Sequence, residues 1–155
     1  IECYYNNMKV KNDSIEYSYF NKFVEDYPEL KAYRTEWMVF YEEMKLSGSI
    51  DMVFELPDGT LQIYDWKRCE EIVFEPFFRK FSHTECIKTL PDTNFWHYSL
   101  QLNVYKTILE KKYDKKISGL YLVCLHPNQK TYDRIEVPFL DKEMNDLFEY
   151  RKTQI

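Results

Sequence analysis

The tripeptide Pro57-Asp58-Gly59 constrains the fold of this chain more than any other feature of the sequence. It separates two runs rich in aromatic and β-branched residues, LSGSIDMVFEL before it and LQIYDW after it, which are typical of β-strands. A three-residue hairpin with a type I turn and glycine in the left-handed position suits these turn residues. The sequence therefore predicts an antiparallel hairpin in which Leu56 lies opposite Thr60.

The rest of the chain alternates between helical and strand patterns, without internal repeats or a linker-like segment. Helical spacing runs from Asn12 to Asp26, from Asn94 to about Tyr113 and from about Asp141 to Lys152, and strand patterns occupy YRTEWMVFYEE, ISGLYLVCLH and DRIEVPFL. This order of elements predicts an α/β fold with a central mixed β-sheet flanked by helices. We expect residues 1–155 to form a single domain.

Composition narrows the class of protein. With 155 residues and 45% hydrophobic content, the chain has the size and apolar content of one packed domain. The four cysteines form no CxxC pair, which favours reduced thiols in an intracellular protein, and no apolar run is long enough to predict membrane insertion. A net charge of −5 argues against an extended basic surface but allows a local nucleic-acid groove. The start at Ile1 without Met suggests processing or a larger parent chain.

Two carboxylates meet on the predicted hairpin. Counting back from the turn sets Asp51 directly opposite Asp65, with both side chains on one face and β-carbons roughly 4.5–5.5 Å apart. Carboxylates this close repel each other unless a cation or a proton lies between them, and Mg²⁺ prefers such oxygen ligands. Lys67 shares this face because it lies two residues beyond Asp65, and its ammonium could position a water or offset charge on a phosphate.

A third carboxylate is expected from the preceding turn. If Glu42 to Lys45 form the loop, Tyr41 faces Leu46 and Glu36 faces Asp51. A slip of one residue would turn Glu36 away from the cluster. The ordinary alternative for the whole pattern is a solvated strand face, since a single DxK triplet occurs often by chance.

Three segments together resemble the PD-(D/E)xK nuclease superfamily, and within it the RecB-like branch. They are GSID, IYDWK and QLNVY, and they fall in the stretch from about Thr35 to Tyr105. IYDWK is also similar to mitochondrial genome maintenance exonuclease-type nucleases and to nucleases of large DNA viruses. The resemblance implies a restriction-endonuclease-like core and a magnesium- or manganese-dependent deoxyribonuclease, with a place in DNA repair or replication. It favours exonuclease action on single-stranded or end-containing DNA.

The resemblance also implies a role for each matching residue. Asp51, Asp65 and the backbone carbonyl of Trp66 would bind the metal, Lys67 would be the catalytic lysine, and Glu36 matches an acidic position of many relatives. Gln101 and Tyr105 match a QxxxY helix that orders the lysine and contacts the nucleic-acid backbone. His97 lies one helical turn before Gln101 and is a further candidate for a phosphate contact, although a satisfied structural histidine is the commoner case.

Two departures from the family pattern keep alternatives open. RecB-like nucleases commonly place a metal-binding histidine on a helix before the first strand, and no histidine precedes Asp51 here. Either that helix lies upstream of Ile1, or the chain is a catalytically inactive nuclease-fold module that only binds nucleic acid. A second rival is an interaction domain with an accidental DxK. No cysteine follows Cys124, so no iron–sulfur cluster is expected.

The segment between Lys67 and Asn94 is longer than most connections and carries four phenylalanines beside Arg79 and Lys80. These rings could stack on unpaired bases, but core packing is the commoner role of such residues. His83 and His126 have no partners at metal-ligand spacing and are interpreted as structural.

Overall fold

A computed structural model of the protein describes residues 15–68, 94–126 and 130–155. The described chain forms three α-helices and five β-strands with one short 3-10 turn. In order these are α1 (Ile15–Asp26), β1 (Lys31–Tyr41), the 3-10 turn (Glu42–Met44), β2 (Leu46–Glu55), β3 (Leu61–Lys67), α2 (Asn94–Lys112), β4 (Ile117–Cys124), β5 (Asp133–Glu136) and α3 (Asp141–Gln154). The expected α/β class with a central mixed sheet and flanking helices is confirmed.

The five strands form one sheet in the order β1-β2-β3-β4-β5. The β3–β4 pair is parallel and the other three pairs are antiparallel. Parallel neighbours need a crossover connection, and α2 lies within the segment that joins β3 to β4. This crossover therefore brings α2 next to β3.

The Pro57-Asp58-Gly59 hairpin has the predicted geometry. Leu56 N–H donates to Thr60 O at 2.9 Å, and Gly59 takes a φ of +87°. Asp58 Oδ1 accepts hydrogen bonds from the backbone N–H and the hydroxyl of Thr60 at 2.9 and 2.7 Å, which fixes the turn. The β2–β3 ladder runs from Glu55↔Leu61 to Met52↔Tyr64 in the predicted register and ends there, so Asp51 and Asp65 lie just beyond its last pair.

The β1–β2 register also agrees with the prediction, since Tyr41 pairs with Leu46 and Trp37 with Ile50. The connection is a 3-10 turn that Lys45 closes in the left-handed conformation, with φ +52°. Strands β4 and β5 and helix α3 lie close to their predicted bounds, except that β5 ends at Glu136. Pro138 lacks an N–H group and cannot extend the ladder, which accounts for the shorter strand.

The core has two main layers, one on each face of the sheet. On the α2 face, Ile63 of β3 packs in a cluster with Leu102 and Leu109 of the helix. On the α1 face, Tyr64 packs with Phe20 and Phe23 in a second, aromatic cluster. Adjacent residues of β3 thus point to opposite layers, as strand geometry requires.

Asn103 anchors α2 at its middle. This buried side chain donates to Ser99 O and Pro138 O at 2.8 and 3.1 Å, and its Oδ1 accepts a hydrogen bond from Leu140 N–H at 2.8 Å. The amide therefore ties the helix to the segment that leads into α3. No helix among the described residues combines the length and apolar character needed to cross a bilayer.

Several predictions fall outside the described residues. The long segment after Lys67, with its phenylalanines, Arg79, Lys80 and His83, lies almost wholly in residues 69–93. The first turn of the predicted helix from Asn12 also lies outside, and the described helix begins at Ile15. His126 is described and lies two residues after the end of β4.

Candidate active site

Strand β3 delivers two charged side chains to the α2 face. Its alternation places Tyr64 and Trp66 in the aromatic layer, where Trp66 meets Phe20 edge-on at 5.6 Å between ring centroids. Asp65 and Lys67, the residues between and beyond them, face α2 instead. The buried aromatic neighbours of β3 hold the strand rigid, which fixes the positions of both charged groups.

Asp51 and Asp65 form a pair of close carboxyl groups at the β2–β3 junction. Burial, contact with the Asp65 carboxylate and the negative charges of Asp65 and Glu36 raise the pKa of Asp51 to about 7. The N–H of Trp66 donates to Asp51 Oδ2 at 3.3 Å and opposes this rise. Two carboxylates in one half-buried site cannot both ionise cheaply, so a proton or a cation is needed between them.

Lys67 supplies a positive charge beside this pair. Its Nζ lies 2.9 Å from Asp65 Oδ2 and 4.2 Å from the centroid of the Tyr98 ring. Burial disfavours the ammonium, but attraction to Asp65 outweighs burial and raises the pKa of Lys67. Asp65 Oδ2 is buried, and the Lys67 ammonium is its charge partner.

Glu36 occupies the register position opposite Asp51 but does not complete a cluster of three metal-ligating carboxylates. Its side chain is exposed, and Glu36 Oε2 accepts a hydrogen bond from Ser49 Oγ at 3.3 Å. Its backbone takes a φ of +44°, a conformation that is costly for a residue with a Cβ. The expected third ligand therefore becomes a nearby charge, because a local backbone distortion changes what the strand register implied.

The expected helical pair lies beside the site. Gln101 Nε2 donates to Tyr105 Oη at 3.1 Å. Burial and the charges of Asp65 and Asp51 raise the pKa of Tyr105, while hydrogen bonding from Gln101 and the charge of Lys67 lower it. The Tyr105 ring packs so closely over Gly48 that a Cβ on Gly48 would lie 2.6 Å from Cε1. Gly48, the glycine of GSID, thus leaves room for the ring of Tyr105, the tyrosine of QLNVY.

His97 is exposed on α2, one turn before Gln101. It shares the helical stripe that the sequence predicted for His97, Gln101 and Tyr105. Its contact with a nucleic acid stays a prediction.

Tyr98 was missed by the sequence analysis. It faces Lys67 across the gap between α2 and β3, and its ring lies over the ammonium. Spacing gives a partial signal, because Tyr98, Gln101 and Tyr105 follow at i, i+3 and i+7 on one helical face. The crossing of α2 over the end of β3, which decides which ring meets Lys67, is not encoded by spacing.

The donor chemistry of this site suits a hard divalent cation. Asp51 and Asp65 offer carboxylate oxygens close to one another, and the Trp66 backbone adjoins them. Within residues 15–68, 94–126 and 130–155, no three His, Cys, Asp or Glu side chains form a metal-binding group. Two carboxylates remain sufficient for Mg²⁺, which is commonly held by one or two carboxylates and retains several waters.

Comparison with known proteins finds distant structural similarity. No family model matches the sequence, and no curated protein matches it. A solved structure from Eubacterium rectale, named "Putative exonuclease", is similar over 99% of this chain and 73% of its own, with 14% sequence identity and a TM-score of 0.42. At that TM-score the match carries no argument about this chain.

Proposed function

We propose that this protein is a metal-dependent nuclease that hydrolyses phosphodiester bonds of DNA with Mg²⁺ or Mn²⁺. The observation that carries the proposal is the convergence of Asp51, Asp65 and Lys67 beneath α2. Two mutually repelling carboxylates and an ammonium on one rigid sheet face have no evident structural purpose that apolar residues would not serve at lower cost. They do match the requirements of phosphate hydrolysis.

Each residue has a proposed part. Asp51, Asp65 and the Trp66 carbonyl would hold the cation, which when bound lowers the pKa of a water ligand and withdraws charge from the phosphate. Lys67 would orient the attacking water and offset negative charge that grows on the phosphate oxygens. Gln101 would hold Tyr105, and together with His97 would contact the nucleic-acid backbone.

The finer assignment to exonuclease action on single-stranded or end-containing DNA is supported by the resemblance of GSID, IYDWK and QLNVY alone. The same holds for a role in DNA repair or replication. The alternative is a nuclease-fold module that binds nucleic acid without cutting it, and the following experiment separates the two.

The test is cleavage of end-labelled single- and double-stranded DNA with Mg²⁺, with Mn²⁺ and with EDTA. Lys67→Met should lower kcat by about 10²–10⁴-fold, the range for a positioned acid–base group. Lys22→Met is the matched control, because Lys22 is an exposed lysine of α1. It should cut like the parent protein.

Metal binding is measured separately by titrating Mn²⁺ into the parent and Asp65→Asn. The proposal would be contradicted if Lys67→Met cut DNA as the parent does, or if the parent cut DNA equally well in EDTA. DNA binding by a parent that neither cuts DNA nor takes up Mn²⁺ would support the non-catalytic alternative.

A further inference from the structure

Lys67 is held from two sides by groups of different chemistry. The Asp65 carboxylate lies 2.9 Å from Nζ, and the face of the Tyr98 ring lies 4.2 Å away. The lysine side chain is largely enclosed, with 22% of its surface exposed. A cation above an aromatic face is attracted by the ring quadrupole, whose negative side it meets.

The two anchors respond differently to a change at the carboxylate pair. Asp65 is shared, since it faces Asp51 and also pairs with Lys67. If a divalent cation bound to Asp65, it would neutralise the carboxylate charge and would repel the Lys67 ammonium. The attraction between Asp65 and Lys67 would then be weaker. The attraction of the Tyr98 ring does not depend on the charge state of Asp65. Tyr98 is therefore the anchor that persists in the metal-loaded site.

We infer that Tyr98 is a positioning residue that holds the Lys67 ammonium at the active site through its ring face. The inference rests on the proposed nuclease function for its consequence, but the contact itself does not. Tyr98 acts through Lys67 and has no assigned contact with the substrate. The ring, and not the phenol hydroxyl, carries the role, so phenylalanine should replace tyrosine without loss.

The geometric part is tested by NMR on metal-free protein with isotope-labelled lysine, with Lys67→Arg used to assign the signal. Protons above an aromatic ring are shifted upfield, so the Lys67 ε-CH₂ signal should lie upfield of the signal of an exposed lysine such as Lys22. Tyr98→Phe should preserve this displacement, and Tyr98→Leu should abolish it. Tyr33→Leu is the matched control, since Tyr33 also packs partly buried against the α2-face core but is not placed beside Lys67.

The functional part is tested by steady-state kinetics on the same variants, after thermal melts confirm that each is folded. Tyr98→Leu should lower kcat by about 2- to 5-fold, the equivalent of an exposed cation–π contact, and KM for DNA should stay unchanged. Tyr98→Phe should retain the parental kcat. This split distinguishes positioning of Lys67 from a substrate contact, which would raise KM.

The outcomes separate the two proposals. If the parent protein cuts DNA but Tyr98→Leu changes neither the Lys67 signal nor kcat, the inference is overturned and the nuclease proposal stands. If the parent protein does not cut DNA while the Lys67 signal is ring-shifted, the proposed function fails and the Tyr98–Lys67 contact stands. A melted Tyr98→Leu variant shifts the decision to Tyr98→Phe, for which loss of the upfield signal would overturn the inference.

Discussion

Among the cations that lie over tyrosine rings, Lys67 and Arg134 are on opposite faces of the same sheet, and their other partners differ. Lys67 on the α2 face combines Tyr98 with the Asp65 carboxylate. Arg134 of β5 has its guanidinium carbon 3.9 Å from the ring centroid of Tyr121, on the aromatic face of the sheet. Lys67 thus interacts with a carboxyl group, whereas Arg134 interacts with neutral tyrosine side chains.

The surroundings of Arg134 are built to hold it in one state. Its Nε and Nη2 donate to Tyr64 Oη at 3.0 and 2.9 Å, and a second ring, Tyr27, lies 4.4 Å from the guanidinium carbon. Burial raises the pKa of Tyr64 in spite of the hydrogen bond from Arg134, so the phenol stays protonated and serves as a neutral acceptor. Tyr64 in turn donates to Gln62 Oε1 at 3.2 Å.

The comparison teaches that a cation over a ring is not by itself a functional sign. On the aromatic face the pKa values of Tyr64 and Arg134 are both raised, so the phenol stays neutral and the guanidinium stays charged, which is what a stabilising network needs. On the α2 face the charge of Asp51 changes near neutral pH, because its carboxyl group is half-buried beside that of Asp65. Such unresolved electrostatics cluster at functional sites.

The largest predicted effect on stability concerns Arg134, the cation on the aromatic face of the sheet. Arg134→Met should lower the free energy of unfolding by about 2–3 kcal/mol, because it removes two hydrogen bonds to a buried phenol and a desolvated cation–π contact. The measurement is urea denaturation, with kcat of DNA cleavage determined below the melting range. We expect kcat to be unchanged.

Arg134→Lys is the control for this variant, since it keeps the charge and loses the planar fork. Its loss of stability should fall between the parent and Arg134→Met. A folded Arg134→Met protein with parental stability but reduced cleavage would reverse the assignment of the two faces.

The second prediction concerns the electrostatic cost of the active site. Asp51→Asn should raise the free energy of unfolding at pH 8 in EDTA and abolish metal-dependent cleavage. A three-unit pKa difference corresponds to about 4 kcal/mol, which partial exposure of Asp51 reduces to about 1–2 kcal/mol. The gain should vanish at low pH.

The sign follows from the two pKa values of Asp51, 3.8 as an ordinary aspartate and about 7 in the folded protein. Between these two pH values the native state binds more protons than the unfolded chain. The contribution of protonated Asp51 to the stability of the parent protein is therefore fully present below pH 3.8 and is lost as the pH rises through 7. Asp58 is the matched control with the opposite sign, because hydrogen bonds from Thr60 lower its pKa. Asp58→Asn should therefore destabilise at pH 8, and equal behaviour of both variants would contradict the assignment.

The sequence predicted the parts of the site that depend on local rules. Pro57-Asp58-Gly59 dictates a turn, the turn dictates a register as far as Met52↔Tyr64, and the Asp51 and Asp65 carboxyl groups meet just beyond that pair. Lys67 follows from the two-residue repeat of a strand. These steps use only neighbouring residues and regular geometry, so no knowledge of tertiary packing was required.

The features that sequence analysis missed depend on distant contacts or on local distortion. Tyr98 reaches Lys67 only because α2 crosses the end of β3, and Arg134 finds Tyr27 and Tyr64 through packing of three separate elements. Glu36 illustrates distortion, since its backbone is left-handed at the position that the register sets opposite Asp51. Periodicity predicts which face a residue takes in a regular strand, but it does not predict irregular backbone.

The smallest predicted effect concerns the seat of Tyr105 on Gly48. In Gly48→Ala the new Cβ would lie 2.6 Å from Tyr105 Cε1, so the ring must shift away from the site. We expect a loss of about 1 kcal/mol in the free energy of unfolding, at the lower end for an overpacked contact. The measurement is urea denaturation of Gly48→Ala, of Tyr105→Leu and of the double variant.

The double variant decides whether this close contact is the cause. If the ring is what the new methyl group meets, Gly48→Ala should cost nothing in the Tyr105→Leu background, and the two changes will not add. Gly119→Ala is the control on the aromatic face, where a Cβ would lie 2.6 Å from Tyr121 Cε2. Gly119→Ala should lower stability without changing kcat, whereas Gly48→Ala should lower both, because only Tyr105 adjoins the carboxylate pair. Additive costs at Gly48 and Tyr105 would mean that strand β2, and not the tyrosine, requires glycine at this position.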